Sequence, residues 1–127
     1  MRSRQLGMSP ALAIGAALVL GAISAAAEDY RKLREGEIRS RLAGMEVTDG
    51  VHWAEQYMRD GTFRSFHMGK PSKGKWLARS GELCLEDASA EPGCKEVWLS
   101  GNRVEFRAPG SGLPAIEGVL QKQQPRN

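Results

Sequence analysis

Apolar and polar residues alternate along most of the chain after residue 50, with the period of two that is typical of strands with one buried face. The alternation is clearest over residues 103–107, where Val104 and Phe106 face one side and three charged residues face the other. Turn sequences such as Asp60-Gly61 separate these segments. The pattern predicts a hairpin of strands over 52–58 and 62–68, a loop over 69–74, and further strands over 75–79, 82–86, 94–99, 103–107 and 115–120.

A different period precedes these strands. Leu33, Ile38, Leu42 and Met45 recur at helical spacing, and Gly44 is the kind of residue at which helices commonly end. One short amphipathic helix is therefore predicted. The fold class that follows is mainly β: a small antiparallel meander of about six strands, curled into a barrel or a sandwich, with one short N-terminal helix.

The start of the chain has the composition of a secretory signal peptide. Arg2 and Arg4 precede an apolar run over 11–23, and small residues ending at Ala27 supply a cleavage site. A membrane anchor is the alternative, but the run is shorter than the roughly 20 residues that a span requires. A periplasmic or secreted protein without a stable membrane span is expected. The predicted organisation is a signal peptide over 1–27, a β-domain over 28–120 and a disordered polar tail over 121–127.

Cleavage changes the charge of the chain. The sequence has 18 Lys and Arg residues and 15 Asp and Glu residues, and Arg2 and Arg4 are the only charged residues up to Ala27. The remainder is nearly neutral, with cations and anions interleaved. The charge therefore gives no reason to expect a nucleic-acid partner.

Cys84 and Cys94 are the only cysteines of the chain. In an exported protein such a pair most simply forms a disulfide, and neither C-x-x-C spacing nor nearby histidines indicate a redox or metal site. Trp76 precedes the pair and Trp98 follows it. Residues 74–99 are thus predicted to be disulfide-linked strands beneath an aromatic layer.

His52 and His67 are the only histidines, one on each arm of the first predicted hairpin. A turn at 59–61 places His52 opposite Met68 and His67 opposite Trp53, which allows the two rings to be diagonal neighbours. A metal site would need a third ligand, which the sequence does not indicate. Met68 points to the face opposite His67, so one haem cannot bind both. We predict neither a metal nor another cofactor.

The sequence offers no recognisable set of catalytic residues. No serine lies in a G-x-S-x-G sequence, and acids such as Glu82 and Glu86 lie near turns, where solvated acids are common. The chain is therefore interpreted as non-catalytic. Aromatic residues of a small barrel form its core, line a ligand site at its mouth or contact a partner. The candidate ligand or partner contacts are His52, Trp53, His67, Trp76 and Trp98.

The order Asp60-Gly61-Thr62, Gly74-x-Trp76, Leu83-Cys84 and then Cys94 resembles a group of small exported proteobacterial proteins, mostly of unknown function. A turn, a G-x-W strand and a disulfide recur there in this order, after a helix similar to residues 37–42. The G-x-W opening and the short disulfide are also distantly similar to lipocalin-like inhibitors of secreted metalloproteases. Those have an eight-stranded barrel and an N-terminal trunk that enters the protease. Neither resemblance implies functional residues in this chain.

The hypothesis from the sequence is an exported, disulfide-bonded β-domain that binds an unidentified envelope protein or a small apolar ligand. Two alternatives remain open. One is a barrel that carries a lipophilic molecule, and the other is an envelope enzyme that uses the hairpin bearing His52 and His67.

Overall fold

The computed structural model of the chain describes Ser3, Gly7 and residues 10–17, 29–88 and 92–126. Residues 10–17, within the predicted signal peptide, are exposed and belong to no helix or strand. The predicted cleavage site after Ala27 lies outside the described residues. In the part of the chain that the structure describes, no helix is long and apolar enough to cross a membrane.

The described residues form one helix and nine strands. The helix is α1 (Glu35–Leu42). The strands are β1 (Arg31–Lys32), β2 (Met45–Thr48), β3 (Trp53–Tyr57), β4 (Thr62–His67), β5 (Lys70–Arg79), β6 (Glu82–Glu86), β7 (Gly93–Ser100), β8 (Arg103–Arg107) and β9 (Ile116–Lys122).

Strands β2 to β9 form a closed antiparallel barrel of eight strands. Each strand pairs with the next along the chain, and β9 returns to pair with β2. The two-residue β1 is an additional strand that pairs with Trp98 and Leu99 of β7. The predicted mainly β fold, an antiparallel meander curled into a barrel with one short helix, is confirmed. The predicted number of about six strands is too low.

The strand β2 was missed because its first residue continues the apolar spacing of the helix. The helix α1 ends at Leu42, and Met45 already belongs to β2. Gly44 lies between them with a φ of 77°, and its N–H donates to the carbonyl of Tyr57 at 2.7 Å. The glycine therefore redirects the chain from the helix into the barrel, which apolar spacing alone does not reveal.

Residues 69–74 were predicted to be a loop, but β5 begins at Lys70 and runs through Pro71. Over this half, β5 pairs with β4 only, and its pairing with β6 begins at Lys75. A proline is tolerated where one edge of a strand is unpaired, because its missing N–H then costs no ladder hydrogen bond. The prediction of a loop here was wrong for this reason.

The two ends of the barrel differ. The helix α1 covers the end that carries the connections 58–61, 80–81 and 101–102, which we call the closed end. Leu33, Ile38 and Leu42 are buried there in the same core as Tyr57 and Phe63. The other end, which carries the connections 49–52, 68–69, 87–92 and 108–115, has no helix over it among the described residues and is called the open end.

The shortest pairing in the barrel is between β6 and β7, which are joined over three residue pairs only. One of these is Cys84 opposite Cys94, and the predicted disulfide joins them. Towards the closed end β7 pairs with β1 instead, and the N–H of Leu33 donates to the carbonyl of Val97 at 2.8 Å. The disulfide thus joins the strands where the sheet is least paired.

The chain from Gln121 onwards was predicted to be a disordered tail, but it belongs to the fold as far as it is described. Gln121 and Lys122 are part of β9. Beyond them the chain turns back along the outer face of β2 and β3, where Gln124 and Arg126 bind the carboxylate of Glu46. Asn127 lies outside the described residues.

Candidate binding site at the open end of the barrel

Exposed apolar side chains gather at the open end. Val51, Met68 and Leu113 are 82%, 75% and 73% exposed, and each lies on a different connection of that end. Among the described residues from 29 onwards, no other large hydrophobic side chain is exposed to this degree. The closed end carries none of them, so the two ends present different chemistry to solvent.

An apolar cleft of about 470 Å³ lies beside Leu113, and we call it the apolar bowl. Lys95 is the one charged residue among those described in its wall. Pockets that bind small molecules are typically apolar with a few polar groups, which is the composition seen here. The bowl is lined by Pro92, Lys95, Phe106, Ala108, Leu113, Pro114 and Ile116.

A small cavity adjoins the bowl on its inner side. Lys95, Phe106 and Ile116 line both spaces, and the carboxylate-bearing Glu55 lines the inner one together with apolar residues of β6. The inner cavity measures about 20 Å³, room for a single water molecule. The bowl therefore leads to a polar group inside the barrel but not to a large internal chamber.

The carboxylate of Glu55 is held by Tyr57. The Tyr57 hydroxyl donates to Oε2 of Glu55 at 2.6 Å, and the tyrosine is fully buried. Burial raises the pKa of Tyr57 well above its usual value, and the adjacent negative charge of Glu55 raises it further. The phenol consequently stays protonated and acts as a fixed donor to the carboxylate.

Two inward-facing polar atoms of β4 have no such partner. Ser65 and His67 alternate with Arg64 and Phe66 and share the inward face with buried Phe63. Ser65 Oγ and His67 Nε2 are buried, and neither has a hydrogen-bond partner among the described residues. Buried polar atoms without partners are rare in folded proteins. They mark the interior of the open end as a place where a water molecule or a ligand atom would be stabilised.

These polar groups are neighbours through the register of β3 and β4. Ser65 lies directly opposite Glu55, and His67 lies opposite Trp53. Opposed residues on one face of an antiparallel pair have Cβ atoms about 5 Å apart. The unpartnered hydroxyl of Ser65 therefore lies beside the carboxylate that lines the inner cavity.

His52 takes no part in this interior group. Its Nδ1 lies 2.8 Å from Oδ2 of Asp49, while Oδ1 of Asp49 accepts the N–H groups of Val51, His52 and Trp53 at 2.7 to 3.0 Å. Burial raises the pKa of Asp49, but these hydrogen bonds outweigh it and hold the pKa well below the usual range. The pair fixes the shape of the 49–52 connection.

The predicted register of the first hairpin is confirmed. Trp53 is opposite His67, and the N–H of Met68 donates to the carbonyl of His52 at 2.8 Å. The two histidine rings nevertheless have different surroundings, one bound to Asp49 and the other facing inwards. No group of three or more His, Cys, Asp or Glu residues that could hold a metal occurs within the described ranges.

The three candidate tryptophans have separate roles in the structure. Trp53 extends over the neighbouring strand β2 to Gly118 of β9, where an added Cβ would lie 2.9 Å from its Cη2 atom. Trp76 is buried, and its Nε1–H donates to the carbonyl of Met58 near the closed end. Trp98 lies on the outer face, with the guanidinium of Arg107 4.0 Å from its ring centre. Trp76 and Trp98 are thus away from the bowl.

Glu55 and Lys95 were not among the candidate residues, although the sequence contains a signal for both. Each is a charged residue at an inward position, Glu55 between Trp53 and Tyr57 and Lys95 two residues before Val97. A charge in the apolar phase of a strand is uncommon because its burial must be compensated. Because Glu55 and Lys95 occupy positions where the alternation places apolar residues, the sequence alone indicates that both are unusual.

No family model matches the chain, and no curated protein or solved structure matches it.

Proposed function

We propose that this chain is an exported, non-catalytic binding domain whose ligand occupies the open end of the barrel. The observation that carries the proposal is the continuity of the apolar bowl with an inner polar group. A ligand with an apolar body and a small polar end would complement both parts. Lys95 lies at the boundary between the two parts, and Glu55 lies in the inner one.

The dimensions of the bowl support a small ligand. Its volume of about 470 Å³ falls within the range of small-molecule pockets, about 300 to 1,000 Å³. Burial of apolar ligand surface there is favourable by about 25 cal/mol per Å². The apolar side chains of Phe106, Leu113 and Ile116 provide the complementary surface.

The polar end of the ligand would meet hydrogen-bonding groups of both kinds. The ammonium group of Lys95 donates, and the carboxylate of Glu55 accepts. The inner cavity admits only a group of about the size of a water molecule. The body of the ligand would consequently stay in the bowl, so a lipophilic carrier that encloses an acyl chain within the barrel is disfavoured.

A binding role is preferred to the envelope enzyme considered from the sequence. The described residues that line the bowl and the inner cavity include no serine, cysteine or histidine. In the neighbouring cleft, His52 is paired with Asp49, but the hydroxyl of Thr48 already donates to the carbonyl of Trp53 at 2.6 Å. No free nucleophile among the described residues of that cleft accompanies the histidine.

The proposed compartment is the periplasm or the cell exterior. The disulfide between Cys84 and Cys94 is the supporting observation, since such bonds persist in oxidising compartments. The resemblance to small exported proteobacterial proteins agrees with this proposal and remains a prediction from the sequence.

Titration of the exported protein with anilinonaphthalene sulfonate, an aromatic body with an anionic end, tests the site. We expect saturable binding that weakens about tenfold in Leu113→Asp and in Lys95→Met, a loss of roughly 1.4 kcal/mol each. Val51→Asp is the matched control, because Val51 is exposed at the same end but does not line the bowl. Absence of binding, or equal weakening in the control, would contradict the proposed site.

A further inference from the structure

The hairpin of β4 and β5 carries an apolar residue at an unusual backbone position. Met68 and Gly69 form a two-residue turn between His67 and Lys70, with φ of 50° and 79°. Turns of this type need positive φ at both central residues and favour Asn, Asp or Gly at the first. Met68 is 75% exposed, so its side chain gains nothing from burial within the chain.

A second turn of the barrel provides an internal comparison. Ser80 and Gly81 connect β5 to β6 at the closed end with φ of 52° and 74°, which is nearly the same backbone. There the first position holds a small polar residue. The left-handed conformation costs a non-glycine residue free energy, and such costs commonly persist at functional positions. The methionine at the open end therefore does not serve the stability of the fold, which suggests a role in binding.

The same hairpin is strongly cationic. It contains Arg64, Lys70, Lys73 and Lys75, and no acidic residue occurs over 62–75. The three lysines are exposed, and Arg64 lies directly opposite Lys73. None of the four cations forms an ion pair with another described residue. Lys75, at the base of the hairpin, lies directly opposite Glu86 of β6, which partly compensates its charge. The charges of Lys70 and Lys73 are therefore the ones most available to an external anion at the open end.

We infer that this basic hairpin, residues 62–75, docks the open end of the barrel on an anionic phospholipid surface. Met68 enters the interfacial region of the bilayer, and Lys70 and Lys73, the lysines nearest the turn, contact lipid phosphates. Each cation near an anionic membrane strengthens binding by roughly fivefold. The inference goes beyond the proposed ligand site, because it states which surface the open end faces.

A lipid surface fits the geometry better than an acidic protein. Val51 and Leu113 extend from other connections of the same end, so the apolar tips are separate points on one rim. A rigid protein partner would need a matching site for each separate tip, whereas a fluid bilayer interface adapts to all of them. The cations supply the electrostatic attraction that a single exposed methionine would lack.

Vesicle flotation of the exported protein tests the inference, with vesicles of phosphatidylcholine alone or with about one third phosphatidylglycerol. We expect binding to the anionic vesicles only, weakened by added salt. Lys70→Gln and Lys73→Gln should each weaken binding roughly fivefold. Lys122→Gln is the matched control, since Lys122 is an exposed lysine at the far end of β9, without an ion pair to another described residue.

Met68→Asn separates binding from folding. Asparagine is favoured in this turn, so the thermal stability of the variant should equal or exceed that of the parent chain. Its vesicle affinity should nonetheless fall several-fold, while the affinity of the bowl for anilinonaphthalene sulfonate should not change. Unchanged vesicle binding in this variant would overturn the inference.

Other results would overturn the inference as well. Binding to neutral vesicles of the same strength, or equal weakening in Lys122→Gln, would remove the role of the hairpin. Binding to soluble polyglutamate without binding to anionic vesicles would assign the surface to an acidic protein instead. Failure of vesicle binding with intact dye binding refutes docking and leaves the proposed ligand site standing.

Discussion

Arg126 forms a bidentate ion pair with Glu46, in which Nε donates to Oε1 and Nη2 donates to Oε2, each at 2.8 Å. The side chain of Glu46 is fully buried on the outer face of the barrel, beneath the returning C-terminal segment. Gln56 and Gln121 donate to the same carboxylate at 3.0 and 2.8 Å. A buried charge is tolerated only with such compensation, so the last residues of the chain are structural.

Glu46 should make the stability of the protein depend on acid pH. Burial raises its pKa, but hydrogen bonds led by Arg126 outweigh this and lower the pKa to about 2 from 4.5. A lowered folded-state pKa stabilises the fold fully above about pH 4.5, and the contribution is lost as the pH falls towards 2. The shift corresponds to about 3 kcal/mol.

Urea unfolding as a function of pH, with the variant Glu46→Gln, checks this expectation. The variant should be less stable than the parent chain near pH 7, and the difference should shrink steadily between about pH 5 and 2. Glu117→Gln is the control, because Glu117 is an exposed glutamate of β9. A difference between the parent and Glu46→Gln that does not depend on pH would show that the carboxylate contributes by shape and not by charge.

Gly118 should not tolerate a side chain. An added Cβ would lie 2.8 Å from Cγ1 of Val47 and 2.9 Å from Cη2 of Trp53, inside van der Waals contact. We expect Gly118→Ala to lower the free energy of unfolding by about 1 to 3 kcal/mol. Gly36→Ala is the contrasting change, since Gly36 lies in α1 and its added Cβ would meet nothing within 4 Å beyond its own helix and chain neighbours. That variant should gain about 0.5 to 1 kcal/mol, and equal losses in both would contradict the packing argument.

Tyr57 should remain protonated in the folded protein far beyond the pH at which an exposed tyrosine ionises. Since its folded-state pKa is raised, stability is retained below pH 10.0 and lost as the pH rises above this value. In the variant Tyr30→Phe, which leaves Tyr57 as the only tyrosine, the ultraviolet signal of tyrosinate should appear together with unfolding. Tyrosinate absorbance at pH 10 in a protein with native circular dichroism would disprove this prediction.

The disulfide should contribute about 3 kcal/mol to stability, because it closes a loop between residues ten positions apart. Loss of the disulfide should lower the free energy of unfolding measurably, because β6 and β7 are otherwise joined by only three residue pairs. Reductant should lower the urea midpoint of the parent chain to that of a Cys84→Ala, Cys94→Ala double variant, which should itself be insensitive to reductant. Two reactive thiols in the unreduced, denatured protein would refute the pairing.

The alternating pattern was sufficient to predict most of the strands and the register of the first hairpin. Asp60-Gly61 fixes that hairpin locally, and Trp53 is opposite His67 as expected. The glycine of the G-x-W sequence also has a packing role that the sequence alone does not show. An added Cβ at Gly74 would lie 2.7 Å from the carbonyl oxygen of Glu86 and 3.0 Å from Ala88.

The alternation, the turns, the helix and the cysteine pair can all be predicted from the sequence, because each depends on residues close together along the chain. Closure of the barrel was decided by the pairing of β2 with β9, whose residues are more than 70 positions apart. The same closure brings Lys95 and Ile116 into one wall of the bowl, and Arg126 onto Glu46. Local periodicity carries no information about which distant strands meet, so the site emerged only from the tertiary structure.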